Sequence, residues 1–176
     1  MKSNKAFTLV EMLVVVLIIG ILVAIAVPQY QKAVAKSQLA TLKGLINSIV
    51  NAQEVYFLTH NKYASNFAAL DISMPSGGKV NTNYDTLHNE ISYEKITYDW
   101  GTCQLNDYHA NCHNSKVKMT LDYYYLNAKQ TPALRVCTVS GTTDLTDYRN
   151  SICKEESGAD SGNPYKPYNA VFWYYK

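Results

Sequence analysis

The sequence predicts an α+β fold in which the second half of a long N-terminal α-helix packs against a small antiparallel β-sheet. The chain has 176 residues, and Met12–Val27 is a run of sixteen without a polar side chain. Apolar residues then recur at three- and four-residue spacing, the period of a helix, until about Leu58. Beyond that point, runs rich in β-branched and aromatic residues alternate with turn residues. Because helical and strand segments follow one another without alternating, an α+β domain is favoured.

One continuous helix is expected from about Phe7 to Leu58. Leu42 and Ile46 belong to the apolar face of its second half. Pro28 removes one backbone hydrogen bond inside the helix, so we expect a kink or a local loss of helix there. Residues 7–27 would extend roughly 31 Å at about 1.5 Å per residue, which is enough to cross the hydrocarbon core of a bilayer.

Composition excludes two classes of protein. Fifteen tyrosines and two tryptophans provide too much aromatic surface for a disordered chain. The formal net charge is +2, with 16 basic and 14 acidic residues. The chain as a whole therefore lacks the basic excess of a nucleic-acid-binding protein, and we do not expect nucleic acid as a partner.

The N-terminus fits three kinds of segment, of which two are ordinary. Lys2 and Lys5 before an apolar run are typical of a secretory signal peptide, and Ala24-Ile25-Ala26 offers a small-residue cleavage site. Glu11 argues against a signal peptide, whose apolar core should be uncharged. A simple membrane anchor over residues 7–27 is the second possibility.

The third possibility rests on a resemblance. Residues Lys5-Ala6-Phe7-Thr8-Leu9-Val10-Glu11 resemble the processing site of type IV prepilins and pseudopilins. That family has a short basic leader, a small residue (usually Gly) before the cut, a Phe after it and a Glu at the fifth mature position. The resemblance implies cleavage between Ala6 and Phe7 and methylation of the Phe7 amine. It makes Glu11 the fifth mature residue and places Pro28 where the family also tends to have a proline.

The resemblance implies a structural subunit of a type IV pilus that polymerises through its N-terminal helix. A carboxylate within a bilayer costs about 2.5–3.5 kcal/mol on insertion scales, so Glu11 needs a partner. Cleavage would create an α-amine on Phe7, and such amines have a pKa of about 8. The resemblance implies that Glu11 pairs with this amine of a neighbouring subunit. The charge pair would favour one axial register of the subunits. A simpler role for Glu11 is to reach the lipid headgroups near the start of a helix, where its negative charge interacts favourably with the helix dipole.

On this interpretation the chain has four segments: a leader (1–6), a transmembrane and assembly half of the helix (7–27), an amphipathic half (28–58) and an α+β head (59–176). Without Lys2 and Lys5, the side chains carry 14 positive and 14 negative charges and sum to zero. The implied partners are further copies of the chain, a prepilin peptidase, the inner-membrane pilus assembly machinery and, before assembly, membrane lipid. The precursor is expected in the inner membrane and the filament at the cell surface. No cofactor is expected.

Two other functions stay open at this stage. A pseudopilin of a type II secretion system would share the N-terminal features but form a short periplasmic piston. A membrane-tethered periplasmic binding protein would form no polymer. An enzyme is not expected, because G-x-S-x-G, H-E-x-x-H, P-loop and G-x-G-x-x-G motifs are all missing from the sequence.

The head is expected to contain few strands. Residues 73–90 carry glycine, proline, asparagine and threonine and predict a surface loop. Strand-like runs follow at 91–100, 117–126 and 133–139, and a last one lies at 170–175. In the first run both faces carry apolar residues, so its buried side is ambiguous.

Four cysteines predict two disulfides with three possible connectivities, because an even number in an exported domain is typical of paired cysteines. We favour Cys103–Cys112 and Cys137–Cys153, since each closes a short local loop next to a predicted strand. The second would clamp residues 141–152 to the sheet, as the C-terminal disulfide loop does in many pilins.

A metal site is the competing interpretation of part of this region. Cys103, His109, Cys112 and His113 are ligand types within eleven residues. Their C-x5-H-x2-C-H spacing is not a usual zinc pattern, and an oxidising compartment favours disulfides. We therefore predict no metal there.

Two clusters of charged residues each allow more than one interpretation. Glu155, Glu156 and Asp160 surround Ser157 and Gly158 and could hold calcium, but their spacing is not that of an EF-hand, and a solvated loop is favoured. Lys32, Lys36 and Lys43 share one helix face. They could meet lipid headgroups or carboxylates of neighbouring subunits, although a solvated face is the simpler expectation.

Two aromatic runs, Tyr123–Tyr125 and Phe172–Tyr175, could stack on bases or sugars. A stacking groove for single strands also needs a basic channel, which this near-neutral head does not provide. Aromatic residues in strands mostly fill cores and cross-strand contacts, so core packing is favoured.

Overall fold

The computed structural model describes residues 8–84, 92–126, 128 and 133–176. The chain divides into two compact units, Met1–Val34 and Ala35–Lys176. Helix α1 (Leu9–His60) contributes residues to both. The β-sheet belongs to the second unit.

The described part of the first unit is the apolar beginning of α1. Its large apolar side chains, from Leu9 to Val27, are between 45% and 76% exposed. Among the described residues, α1 is the one helix long and apolar enough to cross a membrane, and none of its most apolar stretch is buried. The helix continues through Pro28 without a break. The expected local loss of helix is therefore wrong, and only a bend in a continuous helix remains possible at that position.

The second unit begins with the remaining turns of α1, which bury one face. The buried residues recur every three or four positions, as an amphipathic helix requires. They are Ala35, Leu39, Leu42, Ile46, Ile49, Val50 and Gln53. A 3₁₀ turn, Phe67–Ala69, follows the helix.

Eight strands within the described residues form one antiparallel sheet with the order β1-β2-β3-β4-β5-β6-β8-β7. Their bounds are β1 Lys79–Tyr84, β2 Ser92–Tyr98, β3 Gly101–Leu105, β4 His109–Asn114, β5 Met119–Tyr124, β6 Arg135–Ser140, β7 Asn163–Tyr165 and β8 Ala170–Tyr174. A second helix, α2 (Tyr148–Ser157), and a 3₁₀ turn (Lys166–Tyr168) complete the unit.

One row of side chains crosses six strands of this sheet and forms the centre of the core. Each member of the row lies directly opposite the next in the strand register, and all are at most 5% exposed. The row is Ile96, Cys103, Cys112, Leu121, Cys137 and Trp173. Because cross-strand partners point to the same face, this row identifies the inner face of the sheet. It also shows that Ile96 and Tyr98 occupy the buried side of the first strand-like run.

The sheet is larger than the sequence prediction, which was wrong about two regions. Strand β1 lies inside the expected 73–90 loop. Most of its described side chains are exposed, because it is an edge strand, so it carries no hydrophobic alternation. Strands β3 and β4 were missed because Leu105 is the one strongly apolar residue among their inner positions and their outer positions are polar. Gly101 is required at the start of β3, since a Cβ there would lie 1.9 Å from the His113 carbonyl oxygen.

Helix α2 was also missed, because its composition is polar. Its ends are nevertheless marked. The Asp147 side chain accepts a hydrogen bond from the Arg149 N–H at the N-cap. Gly158 closes the helix in the left-handed conformation, with φ of 67°. Buried Asn150 fixes the helix to the sheet, because its side-chain oxygen accepts a 2.8 Å hydrogen bond from Trp173 Nε1.

The two disulfides connect elements of regular structure. Cys103 on β3 is bonded to Cys112, directly opposite on β4, with the Cα atoms 4.1 Å apart. Cys137 on β6 is bonded to Cys153 on α2, with the Cα atoms 5.5 Å apart. We expected both bonds to close loops beside strands. The first instead crosses a strand pair inside the sheet, and the second attaches a helix to it.

We predict that the two disulfides have different structural effects. C137A/C153A should release α2 and speed amide exchange across residues 148–157, because the bond is the covalent link between α2 and β6. The entropic estimate for a loop of this length is about 3 kcal/mol of stability, although its mechanism is model-dependent. Hydrogen–deuterium exchange of the detergent-solubilised chain measures the effect.

C103A/C112A is the matched control, because it removes a bond between strands that stay paired. Its exchange at 148–157 should equal that of the wild type. Equal exchange in both variants would show that the caps and the Asn150–Trp173 hydrogen bond alone hold α2.

The second prediction concerns acid and the start of α2. Hydrogen bonds from the Arg149 side chain, and then from its N–H, hold the pKa of Asp147 below its usual value. The folded state therefore prefers the ionised form, and this stabilisation is complete above the unfolded pKa of about 3.9 and lost as pH falls through the folded value. Asn is as good an N-cap as Asp, so D147N removes the charge and retains the cap.

We expect the thermal midpoint of D147N to lie below that of the wild type at neutral pH. The difference should shrink as the pH falls through the folded-state pKa of Asp147 and should disappear once its carboxyl group is protonated. Circular dichroism in detergent provides the measurement, and a difference that persists at low pH would mean that Asp147 acts through something other than its charge.

Candidate processing and assembly site

The N-terminus of α1 is closed by a reciprocal pair of side chains. Thr8 precedes the first helical residue, Leu9, and Glu11 is the third residue of the helix. The Glu11 N–H donates to Thr8 Oγ1 at 3.2 Å, and Glu11 Oε2 accepts from the Thr8 N–H at 2.8 Å. This is a capping box, which satisfies backbone donors that a helix end leaves without partners.

The same carboxylate retains capacity for another partner. Glu11 Oε2 also accepts a 2.8 Å hydrogen bond from the Thr8 hydroxyl. Both donors therefore use one oxygen, and Glu11 Oε1 has no hydrogen bond within the described residues. The negative charge also lies in the first turn, where it interacts favourably with the helix dipole.

Sequence reasoning identified Glu11 but missed Thr8. The pattern T-x-x-E before an apolar run is typical of a capping box, so this box could have been predicted from the sequence. Ala6 and Phe7 lie outside the described residues, and the pairing of Glu11 with a Phe7 amine stays a prediction.

The cysteines and histidines considered above as metal ligands contact other protein groups. Both cysteines of the proposed ligand set, Cys103 and Cys112, are in a disulfide. His113 Nδ1 lies 2.9 Å from Thr120 Oγ1, and burial lowers the pKa of His113. His109 Nε2 lies 3.0 Å from Asn111 Nδ2. Over the described part of the chain, no group of three His, Cys, Asp or Glu side chains is arranged to hold a metal ion.

Two of the carboxylates considered above as calcium ligands form ion pairs with two lysines of α1. Lys36 of α1 pairs with Glu155 of α2, and Lys43 Nζ lies 2.7 Å from Glu156 Oε1. The Tyr175 hydroxyl also donates to Glu156 Oε1, at 3.1 Å. Asp160 pairs with Lys176, which lowers the pKa of Asp160. These carboxylates therefore bind lysines of the same chain, and two lysines that we expected to be solvated hold α2 beside α1.

The last tyrosine of the first aromatic run is packed inside the head. Tyr125 is fully buried, and its ring stacks on Tyr63 with centroids 4.3 Å apart. Tyr63 in turn stacks on Phe57, at 4.7 Å. The Arg135 guanidinium lies 4.8 Å from the centre of the Tyr123 ring, within the distance of a cation–π contact. In the second run, Trp173 is 4% exposed. The expectation that these aromatic residues fill the core holds for Tyr125 and Trp173.

Comparison with known proteins places the capped helix end in a recognised motif. The prokaryotic N-terminal methylation motif matches residues 1–27. The N-terminus therefore resembles that of a type IV prepilin. The match includes Ala6, Phe7 and Glu11, and the motif indicates processing of a prepilin.

Longer similarities are to pilins. The chain is 36% identical over 85 residues to a fimbrial protein of Pseudomonas aeruginosa, which covers 48% of this chain and 55% of that protein. It is 39% identical over 70 residues to the type IV wide pilus major component PilA4 of Thermus thermophilus, which covers 40% and 53%. It is 46% identical over 63 residues to the type IV major fimbrial protein FimA of Dichelobacter nodosus, which covers 35% and 39%. The chain thus matches about half the length of the first two relatives. No solved structure is significantly similar to it.

We predict that the capping box determines the stability of the first turn of α1. T8V retains the shape of Thr8 but removes its hydroxyl, and such N-cap losses cost about 0.5–2 kcal/mol. Amide exchange at residues 9–12 in detergent micelles should therefore be faster in T8V than in the wild type. T8S is the matched control, because serine forms the same box and should restore slow exchange. Fast exchange in T8S as well would mean that the threonine methyl group, and not the hydroxyl, stabilises this turn.

Proposed function

We propose that this chain is the structural subunit of a type IV pilus, made as a membrane-anchored prepilin and polymerised through α1. The observation that carries the proposal is the exposed apolar surface of α1 between Leu9 and Val27. Contiguous apolar surface of this extent is rare on monomeric soluble proteins and marks a membrane or protein interface. A bilayer covers this surface before assembly, and the same segments of other copies cover it afterwards.

The capped N-terminus supports a specific mode of assembly. In an apolar environment, free backbone N–H groups and an unpaired carboxylate are both costly. The capping box satisfies backbone donors of the first turn, while Glu11 Oε1 stays available for a cation from another subunit. Cleavage between Ala6 and Phe7 supplies that cation as the α-amine of Phe7. The charge pair then selects one axial register among many positions that apolar packing alone would allow.

The remaining steps depend on other proteins. A prepilin peptidase removes residues 1–6 and methylates the Phe7 amine. Residues 7–27 hold the subunit in the inner membrane, and residues 28–58 join this segment to the head, residues 59–176. The inner-membrane assembly machinery then transfers the subunit to the filament base. Pro28 provides a position where the helix can rearrange locally during this transfer.

A pilus at the cell surface is favoured over a periplasmic pseudopilus. The relatives reported above are named as fimbrial proteins or major pilus components. We assign this chain the same kind of role, in which α1 is the polymerising element and no catalytic site is needed.

The processing prediction is read at the mature N-terminus. Intact mass and N-terminal sequencing of the protein from cells should give a chain that begins at Phe7 and carries one extra methyl group. A signal peptide would instead give a chain that begins at Val27, and a simple anchor would retain Met1 or Lys2. Either of these results contradicts the proposal.

The assembly prediction separates the charge of Glu11 from its hydrogen bonds. Glutamine at this position can still form the capping box, so E11Q removes only the charge. We expect E11Q to be cleaved before Phe7 and to remain in the membrane, with filaments strongly reduced in electron micrographs and in sheared fractions. D99N removes an exposed carboxylate of the head and serves as the matched control, with normal filaments expected. Abundant E11Q filaments would contradict the charge-pair mechanism.

A further inference from the structure

One surface of the head presents aromatic side chains that the core does not use. Residues Asn163–Asn169, here called the tyrosine arm, comprise edge strand β7 and the 3₁₀ turn that follows it, and all of them are exposed. Tyr168 is 74% exposed and Tyr165 is 44% exposed. Their rings lie 5.2 Å apart, and the Tyr165 ring also packs edge-on against Phe172 at 6.2 Å.

The tyrosine arm is stiff as well as exposed. Pro164 and Pro167 fix two of its φ angles, and strand pairing to β8 holds its first half. Tyrosine supplies a large contact area with few rotatable bonds, so such side chains lose little entropy on binding. Lys166 is the sole charged residue in the arm. The arm therefore has the features of a preorganised aromatic contact with one positive charge.

A second surface is an open groove that carries the opposite charge. An open groove of about 530 Å³ lies between α1 and the segment after the 3₁₀ turn at 67–69. We call it the helix groove. Its lining residues are Ser48, Asn51, Ala52, Val55, Tyr56, Thr59, Ala69, Leu70, Asp71 and Ile72. Val55 is 63% exposed, and Asp71 is the one charged residue in the lining. Asp71 is exposed and has no ion-pair partner in the described part of the chain.

The two surfaces are attached to opposite ends of the sheet. The segment that forms one wall of the helix groove is bound to β2, because the Phe67 N–H donates to the Glu94 carboxylate. Strand β2 is next to β1, the edge strand at that end. The tyrosine arm includes β7, the edge strand at the other end. A copy of the head therefore offers one surface at each end.

We propose that the tyrosine arm of one copy docks into the helix groove of the next copy, with Tyr165 and Tyr168 against Val55 and Lys166 facing Asp71. A contact between two different surfaces of identical subunits is heterologous, and it propagates into an open helical filament when the rotation does not close. The groove volume lies within the range of about 300–1,000 Å³ that takes small ligands, so it can accept aromatic side chains. This inference rests on the proposed filament function and assigns the contact between heads.

The first test removes the aromatic contact. Y165A/Y168A in the full-length chain should still be cleaved and membrane-inserted, but should give about ten-fold fewer sheared filaments, as expected when central aromatic anchors are lost. Y148A is the matched control, because Tyr148 is an exposed tyrosine on α2 outside the arm. A normal filament yield from Y165A/Y168A overturns the proposal. A normal yield together with lost binding to a sugar or to another cell also overturns it, because the arm would then be a binding surface for a foreign partner.

The second test exchanges the charges. K166D and D71K should each reduce filament yield, and K166D/D71K should restore it, because the ion pair is re-formed with reversed polarity. K116D changes an exposed lysine elsewhere and should leave the yield unchanged. Single variants that assemble normally, or a double variant no better than the singles, would contradict the Lys166–Asp71 contact.

The third test detects the contact directly. All four native cysteines are paired in the two disulfides, so V55C/Y168C adds the two free thiols. This variant lacks Tyr168, so its filament yield should be lower, but the filaments that form should show a ladder of disulfide-linked multimers on non-reducing gels, whereas V55C/Y148C filaments should run as monomers. Monomers from V55C/Y168C filaments overturn the head contact but leave filament formation itself standing. If the wild-type chain forms no filament at all, the proposed function fails instead.

Discussion

The beginning of α1 exposes apolar side chains that no other element among the described residues covers, and most other features of the chain follow from this constraint. Leu9–Val27 is too apolar to stay in water, so it requires lipid or another apolar protein surface. In either environment, water no longer satisfies the backbone donors at the helix start. Thr8 and Glu11 satisfy donors of the first turn within the chain itself. The Glu11 carboxylate also places one negative charge at the start of an otherwise uncharged apolar segment. In the proposed filament, this charge would give a surface that can associate in many positions one preferred register.

The head is stabilised in a way that does not draw on this apolar segment. Its centre is the row of buried side chains through six strands, and both disulfides include members of that row, at Cys103–Cys112 and Cys137. Helix α2 is too polar to be held by burial alone. A disulfide, the buried Asn150–Trp173 hydrogen bond and the ion pairs of Lys36 and Lys43 with α2 hold it instead. Exposed pairs of this kind each contribute little, so the covalent bond and the buried hydrogen bond carry most of the attachment.

The sequence predicted the features that come from local periodicity and failed where long-range partners decide. The apolar run and the three- to four-residue spacing predicted α1 to within two residues at each end, since α1 is Leu9–His60. Strands β3 and β4 were missed because Cys103, Cys112 and Ala110 fill the core without looking strongly apolar. The ion pair between Lys36 and Glu155 joins residues 119 positions apart, and nothing in either local sequence indicates the other. By contrast, the Thr8–Glu11 box and the Asp147 and Gly158 caps of α2 were readable from local patterns. The exposed tyrosines could not be told from buried ones, because Tyr125 and Tyr168 both lie close to strand-like runs.

The proposed filament needs two kinds of contact, and we assign them to different parts of the chain, the apolar start of α1 and the head. Apolar helices supply cohesion, but apolar packing is tolerant of sliding and rotation, so cohesion alone gives an ill-defined polymer. In the proposed filament, pairing of the Glu11 carboxylate with a Phe7 amine limits sliding along the axis. It does not fix the rotation of one head relative to the next, because a point charge has no preferred direction around the helix axis. The proposed docking of the tyrosine arm into the helix groove would supply that directional constraint. Charged and aromatic residues at the head contact would thus set the helical angle of the filament, while the apolar segments hold its subunits together.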